Sequence, residues 1–375
     1  MSSSSGVGRT SVLVDHQTFL MYRRGGISRY FAELLRCYWE HPELEVDAQI
    51  SLRRSSNSHL LAVAPQVRPL PFRPDSLPYR AAQVAERRRA RRAAGALHPD
   101  LVHSTYYRPE DLDLVPGAKR VVTVHDLIPE RHPEWFGDRP VHLAMRDYID
   151  AADGIVCVSQ ATKDELFELW GEIDDRPVIV THHAAGPLFT PHGPGWDLGR
   201  PYLLHIGDRE LYKDFPTLVR AFAQCEARTS GLALAVVGGK DLLPEEKQLI
   251  DDLGVADDLI VLSAGEAELP RLYRSAVALV SPSTVEGFGM PVVESMTCGT
   301  PVVLADTPVY REVAGAAGLF FTPGDEEALR DQIDRLTTDD DLATAAAQAG
   351  LTRAADFSWD STAASTAALY RDLIC

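Results

Sequence analysis

The feature that most constrains the fold is a repeated alternation of short apolar runs with amphipathic segments along the 375 residues. Runs that are apolar on both faces are typical of parallel strands covered by helices, and the intervals between them leave room for right-handed crossover helices. In the first half of the chain the runs lie at 11–15, 46–52, 100–104, 120–126, 154–159 and 177–182. The pattern therefore predicts an α/β fold with a doubly wound parallel sheet.

One stretch interrupts this alternation. Residues 186–201, GPLFTPHGPGWDLGRP, are rich in Gly and Pro and follow neither a strand nor a helix period, which is typical of a linker. The alternation then resumes at 201–207, 232–239, 259–263, 276–283 and 300–306. We predict five parts: a disordered tail at 1–10, an N-terminal Rossmann-like domain at 11–186, a linker at 187–200, a C-terminal Rossmann-like domain at 201–356 and a helix at 357–375.

Charge and cysteine content narrow the possible partners. The net charge is -17, divided as -2 over residues 1–187 and -15 over residues 188–375. Such a field repels polyanions, so we expect no nucleic-acid partner. The five cysteines are far apart, without metal-binding or disulfide spacing, and the first residues lack the apolar segment of a secretory signal. We therefore expect a cytoplasmic protein.

The segment 281–303, SPSTVEGFGMPVVESMTCGTPVV, carries the clearest candidate site. An apolar run leads into a loop with Glu286 and the glycines Gly287 and Gly289, and Glu294 falls in the helix expected next. Glycines let backbone N–H groups approach a ligand, a helix N-terminus favours a phosphate or polar oxygens, and a carboxylate can accept sugar hydroxyls. The spacing alone fits an ordinary strand-loop-helix with two surface acids equally well.

This segment closely resembles the E-x7-E signature of the retaining glycosyltransferases of family four, which have the GT-B fold of two facing Rossmann-like domains. The resemblance extends over most of the chain, at 25–35, 121–129, 152–166, 205–222 and 357–373. It implies an enzyme that moves a hexose from a nucleoside diphosphate sugar to an acceptor hydroxyl. It also implies a donor-binding C-terminal domain, an acceptor pocket in the N-terminal domain, and a last helix that crosses back onto the N-terminal domain.

The resemblance implies roles for individual residues of the C-terminal domain. Glu286 would contact the donor sugar and Glu294 the nucleotide ribose, while Lys213 and Arg209 would bind the diphosphate. The chain departs from the family pattern here, because Asp208 stands where an arginine often directly follows the glycine. The expected donor-binding loop and helix start comprise Gly287, Phe288, Gly289, Met290 and Pro291.

In the N-terminal domain Gly25 and Gly26 open a predicted helix, so their N–H groups are candidates to receive the same diphosphate; a simple turn is the alternative. The resemblance implies roles for His125 and Asp126. His125 would lie near the donor sugar. Asp126 would orient the His125 ring or contact the acceptor. Arg23 and Arg24, directly before the glycines, are candidates for contact with the acceptor or a phosphate.

We expect no metal and no cofactor, since two cations can stabilise the leaving diphosphate. His103, His182 and His183 lack acidic or cysteine companions at ligand spacing. Asp111 and Asp113 spell the DxD metal motif of a different glycosyltransferase fold, but their acidic stretch reads as a solvated loop.

Neither glutamate stands where the resemblance places a nucleophile, so we favour displacement on the same face of the sugar. The donor is expected to be GDP-mannose or a similar sugar nucleotide, and the acceptor a sugar, a lipid-linked or a small molecule in polysaccharide or natural-product assembly. The basic run 86–92 either lies on anionic lipid at the cytoplasmic face or is a solvated helix face. A GT-B nucleotide-sugar epimerase and a non-catalytic sugar-nucleotide-binding protein remain alternatives, and the oligomeric state stays open.

Overall fold

The computed structural model describes residues 9–137, 142, 144–171, 173, 175–209, 211–239 and 241–375. The chain forms two compact units: an N-terminal unit that runs to His183 and also includes Trp359–Cys375, and a C-terminal unit, Ala184–Ser358. The sequence pattern placed this boundary at residue 186. Of the predicted disordered tail only the last two residues are described, and Thr10 begins the first strand.

The N-terminal unit is organised around a parallel sheet. Its strands are β1 (Thr10–Val14), β2 (Val46–Ile50), β3 (Arg54–Ser55), β4 (Arg68–Pro69), β5 (Leu101–Ser104), β6 (Lys119–Val124), β7 (Gly154–Cys157) and β8 (Val178–Val180). In the described part of the unit, six of these strands form one parallel sheet in the order β2-β1-β5-β6-β7-β8, and β3 pairs with β4. Consecutive residues of β1, Val12, Leu13 and Val14, are all fully buried, as expected for a strand covered by helices on both faces.

The helices of this unit lie between the strands. They are α1 (Gln17–Met21), α2 (Gly26–Glu40), α3 (Ser58–Val63), α4 (Leu77–Ala96), α5 (Ile128–Arg131), α6 (Met145–Ala151) and α7 (Gln160–Trp170). Helix α2 buries Tyr30, Phe31, Leu34 and Leu35, which recur at helical spacing and therefore lie on one face.

The C-terminal unit repeats this architecture. Its strands are β9 (Tyr202–Ile206), β10 (Ala233–Val237), β11 (Leu259–Leu262), β12 (Ala278–Ser281), β13 (Val302–Ala305) and β14 (Gly318–Phe321). They form a parallel sheet in the order β11-β10-β9-β12-β13-β14. Its helices are α8 (Phe215–Gln224), α9 (Glu226–Thr229), α10 (Pro244–Asp252), α11 (Leu269–Ser275), α12 (Met290–Thr297), α13 (Pro308–Ala314), α14 (Glu326–Thr338) and α15 (Asp340–Ala354). The predicted class, two doubly wound parallel α/β sheets, is confirmed.

The last helix, α16 (Trp359–Ile374), belongs to the N-terminal unit and packs against α2. The Tyr370 hydroxyl lies 2.6 Å from Nδ1 of His103, which is buried in β5. A Cβ at Gly154 in β7 would come within 2.9 Å of Leu373 Cδ1, so the helix lies directly over that glycine. These contacts make the end of the chain part of the core formed by its first half.

Candidate functional site

Two loops of the C-terminal unit meet at the carboxyl ends of the adjacent strands β9 and β12. The loop after β9 ends in a 3₁₀ turn, Leu211–Lys213, and the loop after β12 carries Glu286. The Thr284 N–H donates to the Tyr212 carbonyl oxygen over 2.8 Å and joins the two loops. Ligands of open parallel sheets bind at this edge, which makes the joined loops a candidate site.

The joined loops bring Lys213 and Glu286 into contact. The Lys213 Nζ lies 2.6 Å from Glu286 Oε1, and the two side chains are only 18% and 15% exposed. The Tyr310 hydroxyl, from α13, donates to the same carboxylate oxygen over 3.2 Å. The predicted cation and the predicted sugar-binding carboxylate are therefore direct partners.

The glycine-containing loop after Glu286 ends where α12 begins. Gly289 has φ +88, a left-handed conformation that favours glycine, and a Cβ there would lie 2.8 Å from Tyr310 Cε1. Gly289 therefore allows both the turn and the close packing of Tyr310. Met290 and Pro291 begin α12; because proline has no N–H, Met290 is the one of these two residues that can offer a backbone donor there.

Glu294, the second glutamate of the motif, lies within α12 and is 4% exposed. Its Oε2 accepts a hydrogen bond of 2.9 Å from the hydroxyl of Tyr273, a fully buried residue of α11. Neither Tyr273 nor Tyr310 is singled out by the sequence, because a buried aromatic residue in an amphipathic helix is indistinguishable from ordinary core.

Arg209 has a different carboxylate partner from Lys213. Its Nε lies 3.0 Å from Glu246 Oε1 in α10, and the side chains are 4% and 7% exposed. Its Nη1 donates to the Gly238 carbonyl oxygen over 3.1 Å. A Cβ at Gly239 would lie 2.7 Å from the same nitrogen, so that glycine leaves room for the guanidinium. No motif singles out Glu246, which stands in the first turn of α10.

His125 of the N-terminal unit directly follows β6 and is 7% exposed. Its ring packs edge-on against Tyr30 and Phe31, with centroids 5.3 and 5.8 Å away, and lies 5.9 Å from the His183 ring. Within the described residues neither ring nitrogen of His125 has a hydrogen-bond partner. Burial lowers the pKa of His125 well below its usual value, so the ring is neutral and can exchange hydrogen bonds with a hydroxyl.

Asp126 does not orient the His125 ring, contrary to one of the two roles expected for it. Its Oδ1 accepts a hydrogen bond of 3.1 Å from the N–H of Ile128 instead, at the start of α5. The carboxylate also acts electrostatically on Tyr106 and on His142, and it contributes to the raised pKa of both groups. Contact with the acceptor, the other role expected for Asp126, stays a prediction.

Gly25 caps α2 with φ +150, and no atom lies within 4 Å of a Cβ built there. Helix α2 is 15 residues long and begins at the exposed Gly26, whereas Ser28 and Arg29 of its first turn are buried. The expected contact of this helix start with a diphosphate stays a prediction. Arg23 and Arg24 are exposed just before the cap. The N-terminal candidates thus lie on the loop after α1 and at the end of β6.

The interpretation of the DxD stretch as a solvated loop is wrong for its first aspartate. The Asp111 side chain is fully buried, 3.1 Å from Arg91 Nε and 3.6 Å from His16 Nε2. Asp113 is exposed and forms an ion pair with Arg120. No cluster of three or more His, Cys, Asp or Glu residues suited to a metal occurs in the described part of the chain.

The basic run 86–92 lies in α4, where some of its side chains form ion pairs within the protein and others are exposed to solvent. Glu86 is buried and pairs with Arg89, with 2.7 Å between the charged atoms. Arg88 and Arg92 are exposed one helical turn apart. Among the helices that the structure describes, none is long and apolar enough to cross a bilayer.

Two units, each with a six-stranded parallel sheet, are the architecture of the GT-B fold. Among solved structures, sucrose-phosphate synthase from Thermosynechococcus elongatus has a similar fold, with a TM-score of 0.74 over 97% of this chain and 99% of that one at 20% identity. Anabaena HepE in complex with UDP and glucose gives 0.71 over 96% and 98% at 18% identity. These similarities establish the fold.

Family comparisons assign both halves of the chain. Residues 24–187 match Glycosyltransferase Family 4, and residues 190–353 match Glycosyl transferases group 1. The chain belongs to this group 1, family 4 type of glycosyltransferase, as the resemblance implied. It is an enzyme of the hexosyltransferase class.

Curated glycosyltransferases are similar in sequence to this chain over most of their length. The O-antigen chain mannosyltransferase B of Escherichia coli is 29% identical over 304 residues, which cover 75% of this chain and 77% of that protein. The D-inositol 3-phosphate glycosyltransferase of Frankia alni is 29% identical over 301 residues, which cover 72% and 74%.

Proposed function

We propose that this enzyme transfers a hexose from a nucleoside diphosphate sugar to an acceptor hydroxyl with retention of anomeric configuration. The observation that carries the proposal is the Lys213–Glu286 contact of 2.6 Å beside the N-terminus of α12. One site then holds a cation for the diphosphate, a carboxylate for sugar hydroxyls and backbone N–H groups for further oxygens. Few other ligands combine all three requirements.

In the proposed reaction the bond between the anomeric carbon and the diphosphate oxygen breaks as the acceptor oxygen attacks from the same face. The leaving oxygen takes the acceptor proton. Lys213 exchanges its contact with Glu286 for the diphosphate, whose negative charge grows during the step, while Glu286 retains the sugar hydroxyls. His125, neutral and with unpaired ring nitrogens among the described residues, positions a hydroxyl of the sugar.

The remaining donor contacts follow the same logic. Gly287 and Phe288 offer backbone N–H groups to the sugar, and Glu294 accepts the ribose hydroxyls. Arg209 and the N-terminus of α2 at Gly25 are proposed to add positive charge at the diphosphate. We propose no metal and no resident cofactor for this step.

For the donor sugar we propose mannose carried on GDP. Support comes from the mannosyltransferase named among the relatives. For the acceptor we propose a sugar or a lipid-linked sugar hydroxyl in polysaccharide assembly, or a small molecule of the kind named in the inositol phosphate relative.

The first experiment is a thermal-shift screen with UDP, GDP, dTDP, ADP and CDP and their common sugars, since a ligand that binds only the native state raises its apparent stability. The responding donor is then incubated with candidate acceptors, and NMR of the product reports the anomeric configuration. Retained configuration supports the proposal. Conversion of the donor without an acceptor identifies an epimerase, binding without turnover identifies a sensor, and an inverted product or a flat screen contradicts the proposal.

We also propose peripheral contact with anionic lipid through α4. Leu77 and Val84 are 81% and 47% exposed, and Arg88 and Arg92 extend the same helix with exposed positive charge. Exposed apolar and basic side chains together favour the interface of an anionic bilayer. Co-sedimentation with phosphatidylglycerol vesicles, lost in an Arg88→Glu, Arg92→Glu double variant and absent with phosphatidylcholine, tests this contact, and equal binding of the double variant contradicts it.

A further inference from the structure

Each of the two motif glutamates accepts a hydrogen bond from a tyrosine that has almost no exposed surface. Tyr310, 1% exposed, donates to Glu286 Oε1 over 3.2 Å. Tyr273, 0% exposed, donates to Glu294 Oε2 over 2.9 Å. The tyrosines come from different helices, α13 and α11, so the two contacts can be tested separately.

The surroundings of Tyr310 fix its hydroxyl in place. The Ser281 Oγ lies 2.5 Å from it and can donate to the phenol oxygen while the phenol donates to Glu286. Its ring is confined by Gly289, where any Cβ would lie 2.8 Å from the ring. Burial raises the pKa of Tyr310 well above its usual value, so the phenol keeps the proton that it donates.

The role of Tyr310 becomes specific once the donor is bound. In the described structure Lys213 and Tyr310 both contact Oε1 of Glu286. If Lys213 turns to the diphosphate, the Tyr310 hydroxyl is the contact that still fixes the Glu286 carboxylate plane. The other oxygen, Oε2, is then presented to a sugar hydroxyl in a defined orientation.

Tyr273 holds Glu294 by a separate route. The Thr300 hydroxyl donates to the Tyr273 backbone carbonyl oxygen over 2.6 Å, and the Tyr273 ring packs edge-on against Phe189 with centroids 5.9 Å apart. The tyrosine is therefore fixed at both its backbone and its ring. Its hydroxyl is a fixed hydrogen-bond donor to a glutamate that is itself only 4% exposed.

We propose that Tyr310 and Tyr273 are positioning residues of the donor site, with Tyr310 orienting Glu286 toward the sugar and Tyr273 orienting Glu294 toward the nucleotide. This inference rests on the proposed function, since it assigns the sugar to one glutamate and the ribose to the other. It divides the donor site into two hydrogen-bonded pairs with separable effects.

The test compares Tyr310→Phe and Tyr273→Phe, which keep the rings and remove the hydroxyls. Tyr202→Phe is the matched control, because Tyr202 is 1% exposed and its hydroxyl donates over 2.8 Å to the Leu272 carbonyl oxygen, not to a motif glutamate. Calorimetry measures Kd for GDP and GDP-mannose, or for the nucleotide and sugar nucleotide that respond in the screen. Donor consumption gives kcat and KM.

Tyr310→Phe is expected to lower kcat about tenfold to a hundredfold and to leave the Kd for GDP unchanged, because a hydrogen bond to a charged group is lost only at the sugar. Tyr273→Phe is expected to raise the Kd values for GDP and GDP-mannose by the same factor, about tenfold, and to leave kcat nearly unchanged. Tyr202→Phe should change neither quantity. Either tyrosine variant behaving like Tyr202→Phe, or both losing the same quantity, overturns the assignment.

A double-variant cycle separates positioning from a general loss of structure. In a Glu286→Ala background the Tyr310 hydroxyl has no carboxylate to orient, so Tyr310→Phe should cause no further loss of donor consumption. A further loss equal to that in the wild type would overturn the inference. The proposed function fails on a different result, namely full activity of Glu286→Ala itself.

Discussion

The two units share a doubly wound architecture but differ in the polar residues that follow their strands. In the C-terminal unit, charged side chains of the candidate site are paired with each other, as in Lys213–Glu286 and Arg209–Glu246. In the N-terminal unit, the corresponding strand ends carry histidines that burial keeps neutral, His125 and His183 among them. Under the proposed function, this difference assigns the exchange of an ion pair for an anionic ligand to the C-terminal unit and the contact with hydroxyls to the neutral His125 of the N-terminal unit.

The largest effect is expected from Glu286→Ala. Loss of the carboxylate removes the sugar contact and leaves Lys213 without its 2.6 Å partner, so transfer should fall by about a hundred- to a thousandfold. The fold should persist, because the side chain lies at a loop and is 15% exposed. Donor consumption measures the loss and circular dichroism confirms folding; normal turnover would remove Glu286 from the reaction.

Arg209→Ala is expected to act first on stability. It leaves Glu246 buried at 7% exposure without its cation, which should cost about 3 to 5 kcal/mol of the free energy of unfolding. Arg311→Ala is the control, since Arg311 pairs with Asp306 at 2.6 Å but is 55% exposed, and its loss should be much smaller. Equal losses in urea titrations of the two variants would show that the Arg209 pair is not a buried structural pair.

Lys213→Ala is expected to weaken nucleoside diphosphate binding about tenfold to a hundredfold, because a charge-assisted contact with the diphosphate is lost. Lys119→Ala is the matched control in the other unit, where Lys119 forms an exposed ion pair of 2.8 Å with Asp153. Calorimetry with GDP and UDP measures both variants. Unchanged affinity after loss of Lys213 would contradict the exchange of ion pairs proposed for the C-terminal unit.

The fold was predictable from the sequence for a clear physical reason. Buried parallel strands need apolar residues on both faces, and runs such as 120–126 and 276–283 show this directly. The Gly287–Gly289 loop was also visible, because its glycines and flanking acids are local in sequence. Local patterns therefore predict the main loop and the strands of the two large sheets except β14, and they miss the short strands β3 and β4.

The partners of the site residues were not predictable, because they are distant in sequence. Glu286 meets a lysine 73 residues away and Tyr310 24 residues away. Asp111 was misread for a related reason: its acidic neighbours suggest solvent, but Arg91 from α4 covers it. Which charges become buried depends on how different elements pack together, and the sequence pattern of a single element carries no information on that packing.

Acid should destabilise the N-terminal unit before the C-terminal unit. Burial lowers the pKa of His103 and His183 to about 3 and of His16 to about 4, so the unfolded chain binds more protons below its histidine pKa of about 6.5 and stability falls as the pH drops. Asp15, with a pKa raised to about 6, acts in the opposite direction, as do Asp111, Glu165 and His142, whose pKa values are also raised. The lowered pKa values of His125, Glu86 and Glu110 add to the destabilisation by acid. In the described part of the C-terminal unit His205 is the histidine with a lowered pKa, about 4, and the pKa values of Asp258 and Asp306 are also lowered.

Hydrogen exchange of the whole chain between pH 7 and 4.5, corrected for intrinsic exchange rates, measures this difference in solution. Strands β5 and β6 should lose protection at a higher pH than β9 and β12. Loss of protection at a higher pH in the C-terminal unit would mean that the buried histidines do not dominate the acid sensitivity of the N-terminal unit.

The smallest effect is expected from metal removal. This experiment tests whether the N-terminal unit supplies charge for the donor. The two aspartates of the DxD stretch belong to the N-terminal unit and already have protein partners, Asp111 with Arg91 at 3.1 Å and Asp113 with Arg120. A divalent ion could bind there only if both arginines were displaced. The ion would then have to offset the free energy lost when the buried Asp111 carboxylate loses its arginine partner. EDTA should therefore leave donor consumption within about twofold, a free-energy change of less than about 0.5 kcal/mol. The contrary outcome is that EDTA abolishes activity, that Mg²⁺ or Mn²⁺ restores it in the wild type, and that neither ion restores it in Asp111→Asn. That result would assign the anion-binding charge to the N-terminal unit and reverse the division of roles between the two units.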